Sequence, residues 1–480
     1  MVTGNYLPFN FHSLFFLIVF FYGGAFMFRL FGFFICAFPF LVASLSCDST
    51  EPPAGSGAKF TLAVEDSSCT EVWLKLTTTN IPLPVTLSLE QNNIVSQTIS
   101  LCCKDTLLYI DSLLPKQTYK FKAVLTDYQQ PTTNEVTVQT MDTTSHNFSW
   151  QSWEFGIPTG NQLYDVDIID EDNIWAVGEI YTADSYTWDS LGNWIDPYNA
   201  LLWNGTEWEL KRIYYIYNGS SLWSPIRTIF AFNENDIWFG ANLHWNGIGF
   251  EQPNYSGLSG WEAYKIWGTS SEDLYVVGNE GNIAHYSGPS GGWQKIESGT
   301  DLPLLDIFEN DDGITYISGS DYFDSRGILL SIDQTNNVET VVESEIVSEY
   351  QLFRPKLYGE LATVWIDDHN SIYTGGNLIF RQKIGVWDYL RSLPENYIGG
   401  NPNVYYRGFV NRIRGKSSND FWIVGERNTL RHFNGVSWVQ VGLPYDPASP
   451  ITWKSIDIKE NLVVVVGNNG LHGIIMMIKR

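Results

Sequence analysis

Seven times between residues 166 and 467 a β-branched residue is followed, 11 or 12 positions later, by a glycine. The pairs are Val166 to Gly178, Ile229 to Gly240, Ile266 to Gly278, Ile307 to Gly319, Val364 to Gly376, Ile413 to Gly425 and Ile456 to Gly467. A chain that repeats one apolar hairpin in this way repeats one structural unit, and it must stack those units to cover them. The copies share a grammar. A first strand ends just past the marker, as in Ile229-Phe230-Ala231-Phe232, and an acidic turn follows, Asn233-Glu234-Asn235-Asp236. The second strand is almost wholly apolar: Ile174-Trp175-Ala176-Val177, Ile237-Trp238-Phe239, Leu274-Tyr275-Val276-Val277 and Phe421-Trp422-Ile423-Val424. Such a strand is buried on both faces, so each sheet needs a neighbour on either side.

A third strand runs into a tight turn at Asn204-Gly205, Asn246-Gly247, Ser287-Gly288 or Asn434-Gly435, and a tryptophan opens the fourth at Trp208, Trp293 and Trp438. Asn-Gly suits a two-residue hairpin because both central residues need positive φ. Four strands in about 46 residues is the size of a propeller blade. Seven markers predict a seven-bladed β-propeller over residues 143–480. The last unit runs out after its third strand, and the strand-like segment His146 to Phe155 is expected to supply its outer strand and close the ring.

These repeats resemble the bacterial propellers that include the photosystem II assembly factor type and uncharacterised surface proteins. They lack the Gly-His start and regular Trp-Asp end of WD40 repeats, and they lack the sialidase Asp-box. The resemblance implies a fold that hosts binding or assembly roles.

Between Phe60 and Thr140 the pattern changes to short alternating strands, about the size of one small sandwich. Val72, Leu74 and Leu76 alternate with Trp73, Lys75 and Thr77. A tryptophan on the second strand, Trp73, and a Leu113, Pro115, Tyr119 spacing resemble the fibronectin type III family. The resemblance implies a β-sandwich over 59–142 with Tyr119 as a tyrosine corner, its ring in the core and its hydroxyl on nearby backbone. The fold class expected for the whole chain is all-β.

Residues 1–46 hold one basic residue, Arg29, and no acids. Read from a start at Met27, they give a short charged region, an apolar run from Leu30 to Val42, and Ser44-Leu45-Ser46-Cys47. This resembles a bacterial lipoprotein signal with Cys47 as the acylated residue, although Ser44 stands where that family prefers Leu, Val or Ile. Ordinary secretion and an uncleaved anchor are the alternatives, and all three put the body outside the cytoplasm. Residues 47–58, with Pro52, Pro53, Gly55 and Gly57, read as a flexible tether. Discounting Cys36 and Cys47 leaves Cys69, Cys102 and Cys103. At most one internal disulfide can form, and whether Cys69 pairs with Cys102 or Cys103 is open.

With 53 acidic against 28 basic residues, the formal charge is −25, which disfavours nucleic acid as a partner. We find no phosphate-binding loop, nucleophile elbow, zinc motif or dinucleotide fingerprint, and expect no metal and no cofactor. His244, His285, His432 and His472 fall on third strands at one repeat position, which reads as a structural slot. The acidic turns read as Asx turns. No catalytic residue is assigned. The candidate binding residues lie instead on the links that leave second strands and enter first strands, which share one face. They are Tyr181, Tyr186, Trp188, Trp194, Tyr198, Tyr214, Tyr215, Tyr217, Trp223, Tyr322, Phe323, Tyr397, Tyr405 and Tyr406, expected to gather around one channel mouth. The residue before each marker adds a polar ring, including Asp165, Lys265, Asp306 and Arg412; it faces a ligand or makes ion pairs between blades.

The functional reading is an exported, lipid-anchored envelope or surface protein whose propeller binds a glycan, an extended peptide or a protein. The rivals are a carbohydrate-active hydrolase or lyase using Asp184, Asp189 or Asp324, and an envelope assembly factor.

Overall fold

The computed structural model describes residues 59–126, 133–254, 256–258, 260–321, 325–344, 357, 359–390, 409–443, 446 and 448–480. Cys47, the leader and the tether lie outside these residues, as do Tyr322, Phe323, Asp324, Tyr397, Tyr405 and Tyr406. Among the described residues no helix is long and apolar enough to cross a membrane.

Seven four-stranded antiparallel sheets follow one another from residue 162 to residue 479. Their first strands are Gln162–Asp170, Ile229–Asn233, Ala263–Ser270, Leu304–Glu309, Leu361–Ile366, Val410–Ser417 and Thr452–Lys459. Each first strand touches the next, and the seventh touches the first, so the sheets form a closed ring about an axis. This is a β-propeller, and we number its blades 1 to 7 in chain order. Blade 7 takes its outer strand from Ser149–Phe155, which pairs antiparallel with Gly473–Lys479, Phe155 opposite Gly473 and Ser149 opposite Lys479. The closure runs where the sequence expects it, except that 146–148 lie outside the strand.

The recurring glycine has a physical cause that periodicity alone does not reveal. In blades 1, 3, 4, 5, 6 and 7 the register slips at the residue two before the marker, where the first strand bulges. The bulge pushes a backbone carbonyl against the end of the second strand. A Cβ on Gly178, Gly278, Gly376 or Gly467 would lie 2.1 Å from the carbonyl oxygen of Gln162, Glu262, Glu360 or Thr452, and on Gly425 it would lie 1.8 Å from that of Phe409. Only a residue without a side chain fits there. Gly240 differs: it has a φ of 66°, and a Cβ there would meet only Asn242 Oδ1, at 3.4 Å.

Between blades the cores are continuous apolar layers. Blades 7 and 1 share Val166, Ile174, Leu201, Val464, Val466 and Ile475, and blades 6 and 7 share Trp422, Trp453, Val465 and Ile474. The second strands are mostly buried, as a doubly covered sheet demands: Asp420–Gly425 of blade 6 is buried throughout, while Asn173, Trp175 and Glu179 of blade 1 are partly exposed.

The histidine position repeats with its partners. His244, His285 and His432 each bond through Nε2 to the aspartate that opens the second strand, Asp236, Asp273 and Asp420, at 2.9, 2.7 and 2.8 Å. Each ring also lies against the aromatic residue two further on, Trp238, Tyr275 or Trp422. His472 departs from this pattern: it lies outside the strands, with Nδ1 3.1 Å from the Gly156 carbonyl.

The N-terminal segment forms a three-stranded sheet (Lys59–Ser67, Val72–Thr79, Asp105–Ile110) and a four-stranded sheet (Ile94–Leu101, Val85–Gln91, Thr118–Leu125, Val136–Gln139). They enclose one core that includes Leu62, Leu74, Leu87, Leu89, Leu108 and Phe121. The Tyr119 hydroxyl accepts a bond from the Leu114 N–H at 2.9 Å.

Trp73 does not enter that core. Val72, Leu74 and Leu76 face inward, so strand alternation turns Trp73 to the outer side. There it meets the propeller, with Lys383 Nζ 3.9 Å and the Arg381 guanidinium 5.8 Å from its ring. Around it, Glu71 receives a two-pronged bond from Arg381 at 3.0 and 3.1 Å, and Asp66 pairs with Lys383 at 2.7 Å and with His369 at 2.8 Å. Burial alone would raise the Glu71 carboxyl, but Arg381 holds it below the ordinary range. The linker continues the contact: Asn419 Nδ2 donates to the Asp142 carbonyl at 2.7 Å, and Thr144 Oγ1 donates to the Asn419 carbonyl at 2.7 Å. The sandwich-like segment is thus seated on blades 5 and 6 and is no free spacer. His369, Asn419 and Gly435 lie in turns between first and second or third and fourth strands, so it covers the face opposite the long links.

Candidate functional site

The axis is the first place to look, and it is closed by its own chemistry. Asp165 is buried on blade 1, and its carboxylate accepts from Lys265 Nζ at 2.6 and 2.9 Å, Ser455 Oγ at 2.7 Å, Thr228 Oγ1 at 3.0 Å and the Ile229 N–H at 3.1 Å. One carboxylate thereby ties blades 7, 1, 2 and 3. Asp306 does the same for blades 4, 5 and 6: it accepts from Thr363 Oγ1 at 2.6 Å, the Val364 N–H at 3.1 Å and Arg414 at 2.7 and 3.0 Å, and pairs with Arg412 at 2.5 Å. Burial opposes ionisation, yet Arg412 and Arg414 hold Asp306 at about 2, and Lys265 likewise keeps Asp165 low. The polar ring is an inter-blade brace that skips a blade at each ion pair.

One layer further along, Asp167 accepts from the Ala231 N–H at 3.1 Å and Asp457 from the Ile168 N–H at 2.7 Å. Among the described residues neither makes an ion pair, although Lys265 lies near enough to draw both down a little. Burial, and for Asp167 the nearby Asp457, raise both carboxyls, Asp167 strongly.

The open chemistry lies on the face of the long links, on the arc of blades 1 to 3. The link after the second strand of blade 1 folds into a small hairpin, Thr187–Trp188 with Trp194–Ile195. Its rings run in a chain: Tyr181 to Tyr186 at 5.3 Å, Tyr186 to Trp194 at 5.9 Å, Trp194 to Trp188 at 5.3 Å. The link to blade 2 folds into a second hairpin, Tyr215–Tyr217 with Ser220–Leu222. Arg212 fastens the two, its guanidinium 3.7 Å over the Tyr198 ring, 2.8 Å from Asp184 and donating to the Asp196 carbonyl. Asn199 bonds the Ile213 and Ser224 carbonyls and so pins both ends of the second hairpin. Beside the hairpins opens a cleft of about 540 Å³ lined by Tyr215, Tyr217, Arg227, Leu243, Trp261 and Glu262, among others.

Several large apolar groups here remain in water. Trp188 is 65% exposed, Leu191 85%, Ile216 54% and Tyr217 51%, with Tyr186, Trp194, Tyr214 and Leu222 also exposed. Trp223 is half-buried, and its indole N–H has no acceptor. The nine described aromatic candidates lie on the links around blades 1 and 2, and the other five lie outside the described residues. Asp184 and Asp189 are committed to local bonds. Thr182 and Arg212 hold Asp184 low, and Asp189 caps its own turn through Asn193 and Leu191.

Sequence reasoning missed Tyr164, Arg227, Tyr264 and Lys454. All stand two before a marker; in blades 1, 3 and 7 this is the bulged residue of the first strand, while blade 2 has no bulge at Arg227. Arg227 lies 5.0 Å over the Tyr164 ring and 2.5 Å from Glu262, whose other oxygen takes the Tyr264 hydroxyl at 3.1 Å. Burial lowers the Lys454 ammonium, and neighbouring Arg227 adds to the effect. The signal was present, since the offset is constant, but only register reveals its meaning.

No family model and no curated relative matches this chain. Among solved structures it is similar to "YCF48 bound to D1 peptide", with a TM-score of 0.47, 14% identity, and 69% of this chain against 95% of that one. It is also similar to YCF48 from Cyanidioschyzon merolae, with a TM-score of 0.42, 10% identity, and coverage of 68% and 98%. The WD40 β-propeller domain of Doa1 gives a TM-score of 0.43, 14% identity, and coverage of 70% and 98%. At these values the likenesses carry no argument about partner or activity, and the fold stands on the strand pairing.

Proposed function

We propose that this chain is a binding module that holds a protein partner on the linked face of its propeller, over the two hairpins and the adjoining cleft. One observation carries the reading: the N-terminal sheets pack on the opposite face at blades 5 and 6, while the linked face leaves Trp188, Leu191, Ile216 and Tyr217 in water on its two hairpins. Scattered exposed apolar residues mean little, but a contiguous patch marks an interaction site, and tryptophan and tyrosine are the side chains that dominate binding energy. Sugars stack on flat rings flanked by polar groups. Leu191 and Ile216 offer neither, so a protein segment fits better than a glycan. A hydrolase needs one carboxyl raised and one low at the same cleft, and Asp184 and Asp189 are both low. Export with a lipid anchor at Cys47, a fibronectin type III-like first domain over 59–142 and an assembly role remain parts of this proposal, supported by sequence resemblance. The test is co-purification from membrane extracts beside a glycan array. Wild-type protein is expected to retain a protein partner that the triple variant Trp188→Ala, Trp194→Ala, Ile216→Ser loses. Retention of a glycan alone, or release of sugar product, overturns the reading.

A further inference from the structure

We propose that Cys102 and Cys103 form a reversible dithiol–disulfide site at the crossover between the two N-terminal sheets. The chain leaves the four-stranded sheet at Leu101 and joins the three-stranded sheet at Asp105, so residues 102–104 are the whole crossover. Both cysteines are exposed, and the Cys103 thiol points at Cys102 Sγ, 4.0 Å away. A neighbouring thiol at that distance, bonded and then charged, raises Cys103. Because the Cys103 thiol donates toward Cys102 Sγ, Cys102 is the attacking group and Cys103 the resolving one.

Cys69 does not compete. It is fully buried, its thiol donates to the Asp142 carbonyl at 3.2 Å, and Gly435 of blade 6 sits against its sulfur. Burial pushes its thiol up to about 11, leaving little thiolate near neutrality. Of the two pairings the sequence left open, neither is met, because the two candidate partners face each other instead.

The chemistry balances with a small disulfide as oxidant. The Cys102 thiolate attacks one sulfur of R–S–S–R, forms a mixed disulfide and expels RS⁻. Cys103, losing its proton, then attacks the Cys102 sulfur and expels the second RS⁻. Two protein thiols are oxidised and one disulfide is reduced to two thiols. Adjacent Cα atoms lie about 3.8 Å apart, below the roughly 4.4–6.8 Å that relaxed disulfides span, so the ring is strained and easily reduced. That makes it a switch and not a staple. The crossover it would tighten is anchored one residue on, where the Lys104 carbonyl accepts from the Thr78 N–H at 2.8 Å and its hydroxyl at 3.3 Å.

Trypsin releases residues 76–104, bounded by Lys75 and Lys104, as a peptide whose only cysteines are this pair. The full chain would be equilibrated in mixtures of oxidised and reduced glutathione, alkylated and digested. We expect this peptide to lose two hydrogens in mass with no glutathione attached, and to recover both on adding excess dithiothreitol. Cys102→Ser and Cys103→Ser, both surface changes, should each melt like wild type and carry one glutathione. A wild-type peptide that stays doubly alkylated, carries glutathione, bridges to a second chain or joins the Cys69 peptide overturns the proposal.

Discussion

The two faces of the propeller are built from the same blades and have opposite fates. On one, turns of two to six residues are held in places by Asx bonds and, at blades 5 and 6, by the N-terminal segment, whose Glu71 pairs with Arg381 and whose Asp66 pairs with Lys383 and His369. On the other, links grow into hairpins that carry tryptophan, tyrosine, leucine and isoleucine into solvent. Charge is buried where the molecule holds itself together, and the two hairpins keep aromatic and aliphatic side chains in water. The difference teaches that the seven-fold scaffold supplies stability and that its breaks in symmetry carry function.

Substitutions sharpen this contrast, the largest effect being expected at the axis. Asp306→Asn strands Arg412 and Arg414 in a buried site and should cost about 3–5 kcal/mol in denaturant unfolding. Since Asp306 titrates at about 2 when folded and near ~3.9 when unfolded, its contribution is complete above pH ~4 and drains away as pH falls toward 2. A wild-type stability that is flat over that range would break the brace argument. Glu71→Gln removes the two-pronged partner of Arg381 on the covered face and should cost ~2–3 kcal/mol. Hydrogen exchange should rise around residues 66–73 and 379–383 while blades 1 to 3 stay protected; loss of protection everywhere would contradict separate roles for the faces.

Gly425→Ala forces a Cβ against the Phe409 carbonyl and should lower stability by about 1–3 kcal/mol, whereas Gly160→Ala, with open space, should be neutral in the same melt. Asp167→Asn should act the other way, by roughly 1 kcal/mol. Its carboxyl is raised in the folded state, so stability is complete below the unfolded value and falls as pH rises past it; the variant should gain over wild type at pH 8 and not at pH 4. Smallest in stability is Trp188→Ala, within about 0.5 kcal/mol, because the ring covers little of the core. Its partner affinity should nonetheless fall about 10-fold or more.

Much of the ring is legible in the marker spacing, because a carbonyl against a glycine and a doubly buried strand are local, repeated demands. The closing strand is legible too, since the count of strands leaves blade 7 one short. Trp73 was less so. The alternation of Val72, Leu74 and Leu76 turns it to the outer side, but nothing in the sequence says that Lys383 and Arg381 wait there. The polar ring shows the limit: sequence places Asp165 and Lys265 at equivalent positions in blades 1 and 3 but cannot tell that they reach past Thr228 to each other. Of the aromatic site the rings were legible and the conformation of the described links was not, because it depends on single contacts such as Arg212 over Tyr198.

The account stands or falls on which face meets the partner. A photo-crosslinking side chain would be placed at position 188 or 217 on the linked face, and at position 248 in the exposed Asn246-Gly247 turn of the other. The account predicts one and the same crosslinked protein from positions 188 and 217 and none from position 248. Capture from position 248 with silence at 188 and 217 would contradict it.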